Sequence, residues 1–226
     1  MMALLRIAAV GLAAAFAAGA AAQVAVPPML TQAVSATLAA RVDYAFDYDV
    51  SSSKLNWRTH YEPNASPRLR LLEPRRSALD GDERRAFDNL AERLEGVSWC
   101  AGESMGQIAN ARLLREDNVS AVYAFQPTRE SLGGQQARRY ADRLRGELTL
   151  LKGDPDVSHI HIFTPRAFSP VPLVNVERVD VAIACETAPN GRRYAAETVS
   201  EVRGSAFGQA FEERSVQRMH NLTRAP

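Results

Sequence analysis

The chain has little cysteine, little lysine and no excess charge of either sign. Its 226 residues hold two cysteines, Cys100 and Cys185. They form no C-x-x-C pair, which excludes a local thioredoxin-type redox motif. Only Lys54 and Lys152 are lysines, so arginine supplies nearly all of the 27 basic residues. With so much alanine, that bias reads as the composition of a GC-rich bacterial genome. The formal net charge is +1, so bulk electrostatics do not mark a nucleic-acid binder. After residue 22 no apolar run approaches the ~20 residues of a membrane-spanning helix. Apolar residues make up 46% and charged residues 23% of the chain, the balance of an ordinary globular protein.

What is present begins at the N-terminus. Arg6 precedes an apolar run from Ile7 to Phe16, and Ala20-Ala21-Ala22 sits just before Gln23. A basic start, a short apolar stretch and an A-x-A site are the signature of a secretory signal peptide. The expectation is cleavage near Ala22 and a periplasmic or secreted product. Residues 1–22 are then the leader, and 23–226 are one α+β domain. No cysteine stands at the cleavage site, so acylation by the bacterial lipoprotein route is not expected. In an oxidising compartment an even cysteine count favours a disulfide. Cys100 and Cys185 are predicted to form it.

Further along, periodicity indicates strands more than helices. Thr31–Ala40 reads as a weak helix. Val42, Tyr44, Phe46, Tyr48 and Val50 alternate with polar residues, as in a half-buried strand. Leu55–Tyr61 and Leu69–Leu72 follow as strands. Asp80–Glu95 is the clearest helix: acids open it, and Phe87, Leu90, Ala91 and Leu94 form one stripe. Ala111–Arg115 with Val119–Phe125, and Glu147–Leu151 with Val157–Phe163, read as hairpins. Gln135–Leu144 reads as a short amphipathic helix. Val174–Glu186 is expected to be the longest strand, and Tyr194–Phe207 and Phe211–His220 complete the set. Short turns between successive strands imply antiparallel pairing. The predicted fold is a curved antiparallel β-meander, a half-open barrel, packed on two or three helices.

Three groups of residues suggest chemistry. His159 and His161 share one face of a strand, but no third ligand is marked, so no metal site or cofactor is expected. Gly102-Glu103-Ser104-Met105-Gly106 spells G-x-S-x-G, the letters of a nucleophile elbow. The elbow needs a strand at Val97–Ala101 and a helix at Gln107–Leu114 around Ser104. A base would come from His159, His161 or His220, and Asp142, Asp154, Asp156 and Asp180 are open choices for the acid. The arginine pairs Arg75-Arg76, Arg84-Arg85 and Arg138-Arg139 suggest either an anion-binding face or ordinary solvated surface.

From Leu144 onward the chain resembles uncharacterised exported proteobacterial proteins. The stretches that carry the likeness are Leu144-Arg145-Gly146-Glu147-Leu148, Phe168-Ser169-Pro170-Val171-Pro172 and Arg203-Gly204-Ser205-Ala206-Phe207. The strand order is also similar to the half-open barrels of the lipoprotein-carrier (LolA/LolB-like) superfamily. That resemblance implies a curved sheet holding acyl chains. The leading expectation is a non-enzymatic envelope protein that binds an apolar ligand, either lipid or lipoprotein, or an envelope protein partner. Phe46, Trp57, Tyr123 and Phe125 are the predicted ligand-contact residues. The alternative is a serine hydrolase using Ser104.

Overall fold

The structure, a computed structural model, describes residues 26–133 and 135–225. The expected leader, residues 1–22, lies outside the described residues. The predicted fold class holds: one open, curved antiparallel sheet is packed on helices. The chain starts with α1 (Pro28–Ala39), then β1 (Tyr44–Ser52), β2 (Asn56–Tyr61), β3 (Leu69–Glu73) and α2 (Gly81–Arg93). The hairpin β4 (Ala109–Glu116) and β5 (Ser120–Gln126) follows, then α3 (Gln135–Arg139). Next come β6 (Arg145–Leu151), β7 (Asp156–Phe163) and the short β8 (Phe168–Val171). Three long strands close the chain: β9 (Val174–Thr187), β10 (Arg193–Ala206) and β11 (Gln209–Arg224). The sheet order is β3-β2-β1-β11-β10-β9-β7-β6-β5-β4, with β8 beside β9. The last strand therefore pairs with the first, and the free edges are β3 and β4.

Helix α2 starts where the sequence says it should. Asp80 accepts hydrogen bonds from the backbone of Asp82 and Glu83, both at 2.8 Å. Glu83 accepts one from the Asp80 backbone at 3.0 Å. This reciprocal capping box satisfies amides that the first turn leaves without partners. Phe87, Leu90, Ala91 and Leu94 then face the sheet as predicted. Helix α1 has no side-chain cap, but Pro28 suits its first turn. Leu30, Ala33, Val34 and Thr37 form its buried stripe.

The two helices divide the inner face of the sheet into two cores. Under α1 lie Cys100, Cys185, Phe125, Leu148, Leu150, Val157 and Ile160. Under α2 lie Tyr44, Phe46, Trp57, Tyr61, Leu69 and Phe87. The predicted disulfide is present and joins Cys100 to Cys185 within the first core.

Several local expectations change. Gln135–Leu144 is not one helix: α3 stops at Arg139, and Ala141–Arg143 is a single 3₁₀ turn. Ala141 and Leu144 are nevertheless buried, with Ala137 packed against them. The longest strand is β11, with 16 residues, not β9, with 14. Two hairpin turns carry large apolar residues at positive φ, Leu173 at 66° and Phe207 at 53°. The left-handed region costs an L-residue about 1–2 kcal/mol, so glycine or asparagine normally occupies it.

Candidate functional site

Residues paired directly across antiparallel strands point to the same face of the sheet. The register therefore sorts the polar residues. The inner face carries the helices. The outer face carries Asp47, His60 and His220 in one row, with Asp49, Arg58 and Arg218 in the next. It continues through Glu197 and Glu201 to Asp180, His161 and Glu147. All four histidines lie on this outer face, and three of them meet an aspartate. His60 Nδ1 is 2.8 Å from Asp47, His161 Nε2 is 3.1 Å from Asp180, and His220 Nε2 is 3.2 Å from Asp49. His159 and His161 do share a face, as predicted. No group of three or more metal-ligating side chains occurs among the described residues.

Two aspartates in this ladder, Asp47 and Asp180, are tuned by their neighbours. A hydrogen bond from Asn221, then one from His60, holds the Asp47 carboxyl below the usual carboxylate range. Burial raises the Asp180 carboxyl, but hydrogen bonds from Arg178 and His161 outweigh it, and the net shift is downward. A carboxyl with a lowered folded pKa contributes stability that is present above its unfolded value near 4 and lost as pH falls through the folded value. Melting temperature should therefore drop as pH falls below about 4.5. D47N and D180N together should flatten that part of the profile in a pH-resolved thermal melt.

The inner face holds the largest cavity described, a groove of about 880 Å³. Its apolar lining is Val50 and Leu55 from the β1–β2 hairpin, Ala86 from α2 and Val202 from β10. Ser215 and Gln217 of β11 add polar groups. The mouth carries Asp80, Asp82, Glu83 and Glu213 against Lys54 and Arg214, four carboxylates to two cations. Lys54 and Glu213 approach to 3.8 Å, both largely exposed, so the pair contributes little to holding the mouth. Beside the groove, the Tyr48 hydroxyl donates to Gln217 Oε1 at 2.7 Å. Burial pushes the Tyr48 phenol up to about 12, so it remains a donor at neutral pH.

The residues singled out from sequence do not converge on this groove. Phe46 is fully buried and stacks on Tyr61 with centroids 4.7 Å apart. Trp57 meets Phe87 of α2 edge-on at 5.7 Å. Tyr123 and Phe125 belong to the other core, under α1. The four are thus divided between two helix-filled cores, and none lines the groove. Alternation shows that a side chain points inward. Where the helices dock decides whether it meets a helix or an open cavity.

Ser104 is exposed on a 3₁₀ turn, Glu103–Gln107. The flanking elements of an elbow are absent. Val97–Ala101 is not a strand and supplies only the bridge Trp99–Tyr194. Ala109–Glu116 is strand β4 where the elbow needed a helix. A Cβ on Gly102 would sit 2.9 Å from the Trp99 carbonyl oxygen, so this glycine serves a close backbone approach. The imidazoles lie across the sheet, three of them held by aspartates. The arginine pairs make no common face. Arg76 binds Asp88 and lies over the Phe87 ring at 5.6 Å. Arg84 donates to the Leu79 carbonyl and Arg85 pairs with Asp82. Arg138 donates to the Leu132 carbonyl, in the other half of the sheet.

No protein-family model, curated protein or solved structure matches this chain.

The groove was missed by sequence reading because three distant segments build it. Only its α2 wall had a signal, the acids at Asp80, Asp82 and Glu83, and these read locally as a helix start.

Proposed function

We propose that this is an exported, non-enzymatic binding protein that holds an apolar ligand in the groove between α2 and strands β1, β10 and β11. The groove itself carries the reading. A volume of about 880 Å³ lies within the ~300–1,000 Å³ typical of small-molecule sites, and its lining combines an apolar floor with a few polar groups. The acidic surplus at the mouth opposes a free fatty-acid carboxylate. It favours a neutral or cationic end group on an acyl chain, such as that of a lipid or a lipoprotein. The disulfide suits the oxidising compartment implied by the leader. No helix among the described residues is long and apolar enough to cross a membrane.

Native mass spectrometry of the protein recovered after export tests both parts. The expected mass corresponds to a chain beginning at Gln23, with an apolar species bound. Ala86→Trp fills the groove from the helix side. It should weaken binding of a neutral long-chain monoacylglycerol by about tenfold or more, with little change in melting temperature. A wild-type protein that carries no apolar species and binds no such probe would end this reading.

A further inference from the structure

Strands β9, β10 and β11 extend well past the rest of the sheet. The last β1 partner of β11 is Ser215, and the last β7 partner of β9 is Asp180. Beyond them Val179 still exchanges hydrogen bonds with Thr164, and residues 174–178, 203–206 and 209–212 pair only with one another and with β8. Four to five residues of strand project this tongue by about 13–17 Å.

The end of the tongue lacks charge. Ala167–Val176 and Gly204–Phe211 contain no Asp, Glu, Lys or Arg. Its outermost side chains are apolar and solvent-facing: Phe207 is 77% exposed, Leu173 72% and Val171 54%. The Phe207 backbone donates to the Leu173 carbonyl at 2.8 Å, which ties the two tips together. Both residues hold positive φ, where asparagine or glycine fits better. Large apolar side chains thus stand where neither backbone preference nor core packing calls for them. Backbone strain of this kind points toward function.

We infer that the paired β8–β9 and β10–β11 hairpin tips dock the protein on a lipid bilayer surface, with Phe207 and Leu173 entering its interfacial region. The shape favours a bilayer over a protein groove. Projecting single side chains offer a partner no flat or concave patch, whereas a fluid bilayer accepts them without a shaped pocket. Behind the tips stand Arg166, Arg178 and Arg203, against Glu177, Asp180 and Glu212. Arg203 pairs with Glu212 and Arg178 with Asp180. At the headgroup level these half-exposed arginines can exchange their carboxylate partners for phosphates while their stems cover apolar surface. The inference is independent of the groove's occupancy. Val202 and Glu213 nevertheless place the groove at the base of the tongue, so docking brings its mouth toward the membrane.

The test is co-flotation of the exported protein with vesicles of phosphatidylethanolamine and phosphatidylglycerol. Wild type is expected to float with the vesicles. L173N/F207N keeps residues suited to positive φ and creates an Asn-Gly turn, the preferred sequence for this hairpin. It should melt at the same temperature or higher, yet bind vesicles about tenfold less or weaker. In a separate variant, Phe207→Trp, tryptophan emission should shift to the blue on adding vesicles. A wild type that stays in the vesicle-free fraction overturns the proposal and directs attention to a protein partner. Undiminished flotation of L173N/F207N overturns it as well, by placing attachment elsewhere. Both substitutions leave the groove intact, so failure here does not touch the ligand reading.

Discussion

Replacing both cysteines, as in C100A/C185A, should lower the melting temperature by about 10 °C or more. The bridge spans 85 positions of sequence. Loop-closure entropy assigns a crosslink of that span about 4–5 kcal/mol, a large part of the ~5–15 kcal/mol that holds a typical domain together. In a domain of this size each kcal/mol moves the transition by about 2–4 °C. The location adds to the effect. Residues 94–108 between α2 and β4 have no regular strand pairing and touch β10 through one isolated bridge, Trp99–Tyr194. Two backbone bonds reinforce it, Cys100 to the Arg193 carbonyl and Ala195 to the Ser98 carbonyl. The disulfide fixes this connector to β9 in the core beneath α1. Differential scanning calorimetry under oxidising and reducing conditions gives the comparison. A shift below about 3 °C would show that packing alone secures the connector.

Arg192→Ala should cost about 3–5 kcal/mol, because it removes the cation from a buried carboxylate. Arg192 and Asp156 have side chains only 8% and 4% exposed. The guanidinium lies 3.8 Å from Asp156 and also pairs with Asp154. Asp156 accepts from the backbone of Val157 at 2.8 Å and of Arg193 at 2.9 Å. It thereby clamps the β6–β7 turn to the start of β10. Burial pushes the Asp156 carboxyl above its ordinary value, against the hydrogen bonds and the arginines that pull it down. A raised folded pKa means that Asp156 favours the folded state fully below the unfolded value near 4. That contribution is lost as pH rises through the folded value. Without Arg192 the carboxyl rises further, so the deficit of the variant should be larger at pH 8 than at pH 4.5. Urea unfolding at the two pH values measures the difference. Adding D156N should recover part of the loss at pH 8. An equal deficit at both pH values would show that lost packing, not the stranded charge, dominates.

The parts of the fold legible in sequence were those with a local physical cause. The strands announced themselves by two-residue alternation, as in Tyr44, Phe46, Tyr48 and Val50. Their hairpins were marked by turn residues. Helix α2 was marked by Asp80 and its acids, and the disulfide by there being only two cysteines. The errors lay where one pattern admitted two structures. Gln107–Leu114 reads as a helix beside a presumed elbow, yet from Ala109 onward it is strand β4 and pairs with β5, which follows after a tight turn. Gln135–Leu144 has helical spacing, but its burial is met by a bent segment, the short helix α3 followed by a single 3₁₀ turn.

The candidate site was far less legible. The serine turn and the inward aromatics were visible as letters, but their surroundings were not. Phe46 and Trp57 point inward as expected, and α2 covers them. The groove draws on Leu55, Ala86 and Val202, whose nearness depends on β1 pairing with β11 across almost the whole chain.

By itself, the sequence determined the antiparallel strand class, the capped helix α2, the cysteine pair and the export expectation, because each rests on neighbouring residues or on composition. Only the tertiary structure decided that the first and last strands meet, which inward faces the helices fill, and where a groove stays open. It also decided that two hairpin turns with exposed apolar tips stand side by side at the end of a projecting tongue. These are outcomes of packing between distant segments. Local periodicity specifies which way a side chain points and leaves open what it meets.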